Sequence, residues 1–161
     1  MSFDNYQDIE AIKILRSRYF RSMDTADYAT FRSLLAEDLV TDLKGSDYHF
    51  HFDNRDAFVE AVANAIHAGV VAHHVAHLPE ITLTGATTAE GIWYLEDWAL
   101  DLATRKVRSG TAIIRDRYRK FDRTWKITHY EYRRVIELIS TLPASTEVTA
   151  HYLREHGRKI T

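Results

Sequence analysis

The sequence contains no cysteine, which excludes disulfides, thiolate nucleophiles and cysteine-ligated zinc or iron–sulfur sites and fits a reducing compartment. Two prolines and six glycines in 161 residues leave few breakers, so long regular elements with short connections are expected. Neither sign of charge dominates. The 21 Lys and Arg stand against 23 Asp and Glu, and the basic clusters are short, so no nucleic-acid partner is expected. No apolar run approaches membrane-spanning length, and the opening MSFDNYQDIE is polar and acidic where a secretion signal needs a basic start and an apolar stretch. These absences lead to the expectation of a cytoplasmic protein with no membrane partner.

What is present is the composition of an ordinary globular chain, 45% hydrophobic and 27% charged. The length suits one domain with a sizeable core, and no repeat or linker divides it, so residues 1–161 are expected to form a single unit. From Asp8 to Met23 the apolar residues Ile9, Ile12, Leu15, Tyr19 and Met23 recur at helical spacing, with Glu10, Lys13, Arg16 and Arg18 between them. Thr25 or Asp27 can cap a second helix with Tyr28, Phe31, Leu34 and Leu35 on its apolar side. LVTDLKGSDYHFHF reads as two short strands around Gly45-Ser46, and Asp53-Asn54-Arg55-Asp56 opens a third helix running to about His67.

From Val70 the period changes to two. Four long runs follow, VVAHHVAHLPEITL, TAEGIWYLEDWAL, VRSGTAIIRDRYRKF and RTWKITHYEYRRVIEL, with turns at Gly85-Ala86, Ala103-Thr104 and Asp122-Arg123. Residues 142–161 are read as a C-terminal helix or loosely held tail. This order predicts an α+β fold: a cone-shaped, curved, mixed or antiparallel sheet packed against three N-terminal helices and enclosing one cavity.

The stretch VVAHHVAH carries His73, His74 and His77. On a helix, His73 and His77 would have zinc-motif spacing, but the β-branched neighbours and Pro79 favour a strand, so no metal site is expected. On a strand His73 and His77 share one face and His74 takes the other. The plain reading of all three is that of polar residues on a wall. The chemical reading needs a partner, and Asp24, at the end of the first helix beyond Met23, is a candidate when not simply a turn residue. A carboxylate and an imidazole so paired make a general base. Of Arg133 and Arg134, alternation sends one inward, where it needs an anionic or carbonyl partner.

DIEAIKILRSRYFRSMD, HHVAHLPEIT, TTAEGIWYLED and AIIRDRYRKFDRTWKI together resemble the SnoaL-like branch of the nuclear-transport-factor-2-like superfamily over about residues 8–138. Within it the chain looks most like the bile acid 7α-dehydratases, and more distantly like the scytalone dehydratases and hexachlorocyclohexane dehydrochlorinases. The resemblance implies elimination chemistry without a cofactor, and a homo-oligomer, trimer or dimer. Carried over by position, it implies catalytic roles for Tyr19, Asp24, His74 and Arg134: His74 as base, Asp24 orienting it, Tyr19 donating to the leaving group or an enolate oxygen, and Arg134 anchoring the substrate. His49, His77, Trp93 and Trp98 are the candidate substrate-contacting residues, with core packing the plainer role for the tryptophans. The expected partner is a small hydrophobic cyclic substrate such as a steroid or polyketide. An isomerase or cyclase on similar substrates, or a non-catalytic binding protein, are the alternative readings.

Overall fold

The computed structural model describes residues 3–156. Helix α1 spans Phe3–Asp24, and its buried stripe is Ile12, Leu15, Tyr19, Phe20 and Met23. It stops because Ala26 takes a left-handed φ of 56°. The Asp27 N–H reaches back to the Ser22 carbonyl at 2.8 Å and the Ala26 N–H to Met23 at 3.2 Å, a closure in which alanine occupies the place glycine usually takes. Asp27 then caps α2, Tyr28–Ser33, by accepting from the Thr30 N–H. This helix is shorter than its apolar pattern predicts. Leu34 only caps it and Leu35 begins the first strand, because the Leu34 carbonyl accepts from Ile127 N–H at 3.0 Å and Leu35 comes into register with Ile127.

The strands are β1 (Leu35–Lys44), β2 (His49–Phe52), β3 (Val70–Leu83), β4 (Thr88–Asp101), β5 (Lys106–Phe121) and β6 (Thr124–Thr141). They form one sheet in the order β2-β1-β6-β5-β4-β3, with β1 parallel to β6 and every other pair antiparallel. Helix α3, Arg55–Ala65, is capped by Asn54. It follows β1 and β2, so the three helices are not one N-terminal block. The α+β class and the curled mixed sheet are as the sequence predicts. Register shifts interrupt β1, β3 and the β5–β6 ladder. Such irregularities increase local twist and let a long sheet wrap around helices. The β5–β6 turn uses Asp122 and Arg123 at φ 43° and 71°, the two-residue geometry that matches strand twist.

Alternation along β4 is strict at first: Ala89, Gly91, Trp93 and Leu95 are buried while Thr88, Glu90, Ile92, Tyr94 and Glu96 are exposed. The inward set packs on α1 to make the core with Ala112, Ile114, Tyr118, Ile127 and Tyr130. The segment after β6 is tied down and not loose. Arg105 donates to the carbonyls of Leu142, Pro143 and Thr146, and Leu153 in the single turn α4, Leu153–His156, is 2% exposed. Positions 157–161 of the expected C-terminal element lie outside the described residues. No helix among the described residues is long and apolar enough to cross a membrane.

Arg16 departs from its expected place among the polar residues of α1, for it is fully buried. Its Nη2 pairs with Asp116 Oδ2, the Tyr118 hydroxyl donates to the same oxygen, and Trp93 Nε1 donates to Tyr118 at 2.8 Å. The guanidinium lies 4.6 Å from the Tyr19 ring centroid and 5.1 Å from that of Tyr130. Burial alone would lower the Arg16 pKa, but the Asp116 charge beside it reverses the direction and holds it above its ordinary value. Removing one partner strands the other in the core. Arg16→Met or Asp116→Ala is therefore expected to cost about 3–5 kcal/mol in urea unfolding, and the double change Arg16→Met/Asp116→Leu less than either single.

Candidate active site

The last turn of α1 delivers Asp24 to the inward face of β3. Asp24 Oδ1 lies 2.6 Å from His74 Nδ1, and Asp24 Oδ2 accepts the His74 backbone N–H at 2.8 Å. Both carboxylate oxygens thus hold one residue, fixing its backbone and its ring together. With an ionised carboxylate as acceptor, Nδ1 carries the proton and Nε2 keeps its lone pair. Phe20 stacks on the imidazole with ring centroids 5.7 Å apart and planes 3° from parallel, which fixes its rotation. The two side chains are 16% and 18% exposed, so the pair is shielded but not sealed.

His74 also lines a cavity of about 440 Å³ between the sheet, α1, α3 and the β1–β2 hairpin. Its walls are mainly apolar, with Met23, Leu43, Phe58, Val62, Ile66 and Leu95 contributing. The polar lining comes from Tyr19, His74, Asp97, Arg134, Tyr48, Tyr132, Asp47 and Arg108, with Tyr130 beside Tyr19. Tyr19 is 1% exposed, with its ring centroid 5.6 Å from that of Tyr130. Burial pushes the phenols of Tyr19, Tyr130 and Tyr132 above the ordinary tyrosine range, so at neutral pH they are neutral donors.

Tyr19, His74 and Arg134 line this cavity; Asp24 does not, and holds the imidazole from a separate cleft that it shares with His74, Arg16 and Phe20. Arg134 is the inward arginine, but its role differs from a direct anchor. Its Nη1 and Nη2 bind Asp97 at 2.5 and 2.7 Å and its Nε donates to the Tyr48 hydroxyl at 3.2 Å. Burial would lower its pKa, and the bonds to Asp97 and Tyr48 raise it above the ordinary value. The guanidinium is committed to organising the cavity wall. Arg133, its neighbour, is exposed and bonds Glu131.

None of the four expected substrate contacts, His49, His77, Trp93 and Trp98, lines the cavity. His49 is exposed and binds Asp42 at 2.5 Å. His77 and His73 take the outward face of β3, where His77 lies 3.4 Å from Glu96 and His73 stacks on Trp98 at 6.2 Å. Trp98 is the register partner of His73, so it shares that outward face. Trp93 is buried in the core and spends its N–H on Tyr118. Asp97, Tyr48 and Tyr132, which do line the cavity, were not singled out in the sequence. Only register could have found Asp97: it pairs with His74 across β3 and β4 and therefore shares its face. Among the described residues no group of three or more His, Asp or Glu is placed to hold a metal ion.

A SnoaL-like domain family matches residues 4–131, and the chain belongs to that family. Among solved structures it is similar to the hexachlorocyclohexane dehydrochlorinase LinA-type3 from Novosphingobium barchaimii, at 16% identity over 91% of this chain and 98% of that one, TM-score 0.75. It is also similar to a protein named as a scytalone dehydratase from Novosphingobium aromaticivorans, at 18% identity over 94% and 99%, TM-score 0.75. An NTF2-like protein with a cystatin-like fold from the latter organism matches at 17% identity over 82% and 84%, TM-score 0.65. At these identities the likeness is one of fold.

The dyad geometry fixes a tautomer. In ¹⁵N-resolved NMR the neutral His74 ring is expected to show a protonated Nδ1 and an unprotonated Nε2, and Asp24→Asn to disturb that assignment. A protonated Nε2 with bare Nδ1 in the unaltered protein would contradict the arrangement.

Proposed function

We propose that the protein is a cofactor-independent lyase of dehydratase type that removes water from a small hydrophobic cyclic substrate, such as a steroid or polyketide. The observation that carries this reading is the Asp24–His74 pair, held at two points, with His74 lining a mainly apolar cavity. In the reaction His74 Nε2 takes a proton from carbon, the C–H electron pair becomes the new double bond, and the C–O bond breaks. The leaving hydroxyl departs as water with the Tyr19 proton, and solvent restores the protonation of Tyr19 and His74 between turnovers. Asp24 stabilises the imidazolium that forms, and Tyr130 supports the Tyr19 oxygen as negative charge develops on it. Arg134 acts through Asp97 and Tyr48. The elimination enzymes of similar fold, and the sequence resemblance to bile acid 7α-dehydratases, support the same direction.

Proton transfer by a positioned base contributes roughly 10²–10⁴ in rate. His74→Ala is expected to lower turnover by about that factor while leaving thermal unfolding close to that of the unaltered protein. Product mass decides the reaction type over a steroid and polyketide panel. Loss of one water supports the dehydratase, an unchanged mass points to isomerisation, and binding without turnover would reduce the protein to a carrier.

We also infer a homo-oligomer, trimer or dimer, supported by a run of exposed apolar residues late in β6. Val135, Ile136, Leu138 and Ile139 are each at least half exposed, at 54%, 50%, 58% and 59%, a concentration uncommon on a free surface. Light scattering is expected to give two or three times the 18.7 kDa chain mass, and Ile139→Asp to lower it towards one chain.

A further inference from the structure

Another cleft, of about 300 Å³, lies between α1, the end of α2 and the β5–β6 turn, and it shares no lining residue with the cavity of the dyad. Its floor is apolar. Leu15, Leu34 and Trp125 are buried there, and Ile14 stands at the side, 52% exposed. Arg18 and Arg123 complete the lining with Ala11, Ser33 and Thr124, and no Asp or Glu takes part.

An exposed arginine is ordinary on its own. Here two border one apolar cleft, and neither has a hydrogen-bond or ion-pair partner among the described residues. The acids of α1 are spent elsewhere: Asp8 accepts from Lys120 at 2.6 Å and from Trp125 Nε1 at 2.9 Å, and Glu10 accepts from Lys13. The Ser33 hydroxyl is given to the Thr30 carbonyl, whereas that of Thr124 is a further donor without a protein acceptor among the described residues. The backbone adds a second, independent sign. Arg123 holds φ 71° as the latter of two left-handed residues, Asp122 being at 43°, in a turn that takes Asn-Gly most readily. A residue with a Cβ costs free energy there that glycine would not. The Arg123 side chain offsets none of that cost, because it bonds nothing in the fold. Strain kept at such a residue points to a task outside the fold.

We propose that this cleft binds a small organic phosphate monoester, its dianionic head held by Arg18, Arg123 and the Thr124 hydroxyl and its apolar ester group lying against Ile14, Leu15 and Leu34. The charges select the head. Two cations with no acid in the lining match a dianion better than a singly charged carboxylate, and guanidinium groups bind phosphate oxygens through paired hydrogen bonds. The floor selects the tail. Trp125 spends its N–H on Asp8 and so offers a ligand only ring surface, and the leucines offer nothing polar. The volume admits a single ring or a short chain beside the phosphate.

The test uses phenyl phosphate as the probe, with inorganic phosphate and benzoate for comparison. In calorimetry phenyl phosphate is expected to bind more tightly than either, with an affinity that falls as salt is added. Arg18→Gln and Arg123→Gln should each weaken it roughly tenfold, the worth of a charge-assisted hydrogen bond. Arg115→Gln, which removes an exposed arginine outside the cleft, and His74→Ala should leave it unchanged. Arg123→Gly separates a ligand role from a structural one: binding should fall by the same factor while the thermal midpoint holds or rises, because glycine suits the turn. The Trp125 indole N–H signal in ¹⁵N-resolved NMR should shift with phenyl phosphate. Binding that survives both arginine changes, an equal loss in Arg115→Gln, or inorganic phosphate or benzoate binding as tightly as phenyl phosphate would each overturn the assignment. So would a lowered midpoint in Arg123→Gly, which would give the arginine to the fold.

Discussion

The position of α1 on the sheet depends on one buried contact, the ion pair of Arg16 with Asp116. An ion pair in the core gains little over well-packed apolar residues of equal volume, because desolvation offsets most of the Coulomb attraction. Its consequence is geometric. A guanidinium with no exposure must find its carboxylate, and only one placement of the helix satisfies it. Tyr19, Phe20 and Asp24 follow Arg16 at three, four and eight residues, along the same flank of the helix. Once Arg16 is seated, the phenol enters the cavity, the phenylalanine stacks on the imidazole and the carboxylate arrives behind it.

The pair lies next to the proposed proton donor Tyr19. The Arg16 charge sits under the Tyr19 and Tyr130 rings, where it counters the burial that otherwise disfavours a phenolate on Tyr19. A cation in that place eases negative charge on the Tyr19 oxygen without touching a substrate. Trp93, a candidate for substrate contact by sequence, instead donates to Tyr118, which completes the Asp116 shell. The core thus holds a polar cluster around Arg16, and interactions between its groups gain strength from the low dielectric around them.

The large elements were readable because their periods are long and unbroken: sixteen residues at helical spacing from Asp8 to Met23 and four runs alternating from Val70 onward. His74 was separable from His73 and His77 by parity alone, and β3 keeps that parity. Arg16 was not readable, because a charged residue at a helical position is ordinarily solvated and the carboxylate that buries it is a hundred residues away. Asp97 was hidden for the same reason, its partner Arg134 lying on a strand two places across the sheet. Trp98 was misread because an aromatic suggests a wall by type, whereas the face it takes is set by the register with His73. Long-range pairings are fixed by which strand lies beside which, and a single chain read residue by residue does not carry that order.

The placing of the two tyrosine pairs in the cavity wall follows from where their strands lie. Tyr130 and Tyr132 are two residues apart on β6 and so project to one face, with ring centroids 6.2 Å apart. Tyr130 meets Tyr19 of the helix, and Tyr132 meets Tyr48 of the hairpin. One strand therefore spaces two donors along a ring-sized cavity, one near the dyad and one beyond Arg134. In an apolar enclosure a donor without a protein acceptor costs free energy until a ligand supplies one. Two such donors at a fixed separation favour a molecule with two oxygens at that separation, and the His74 imidazole lines the same cavity.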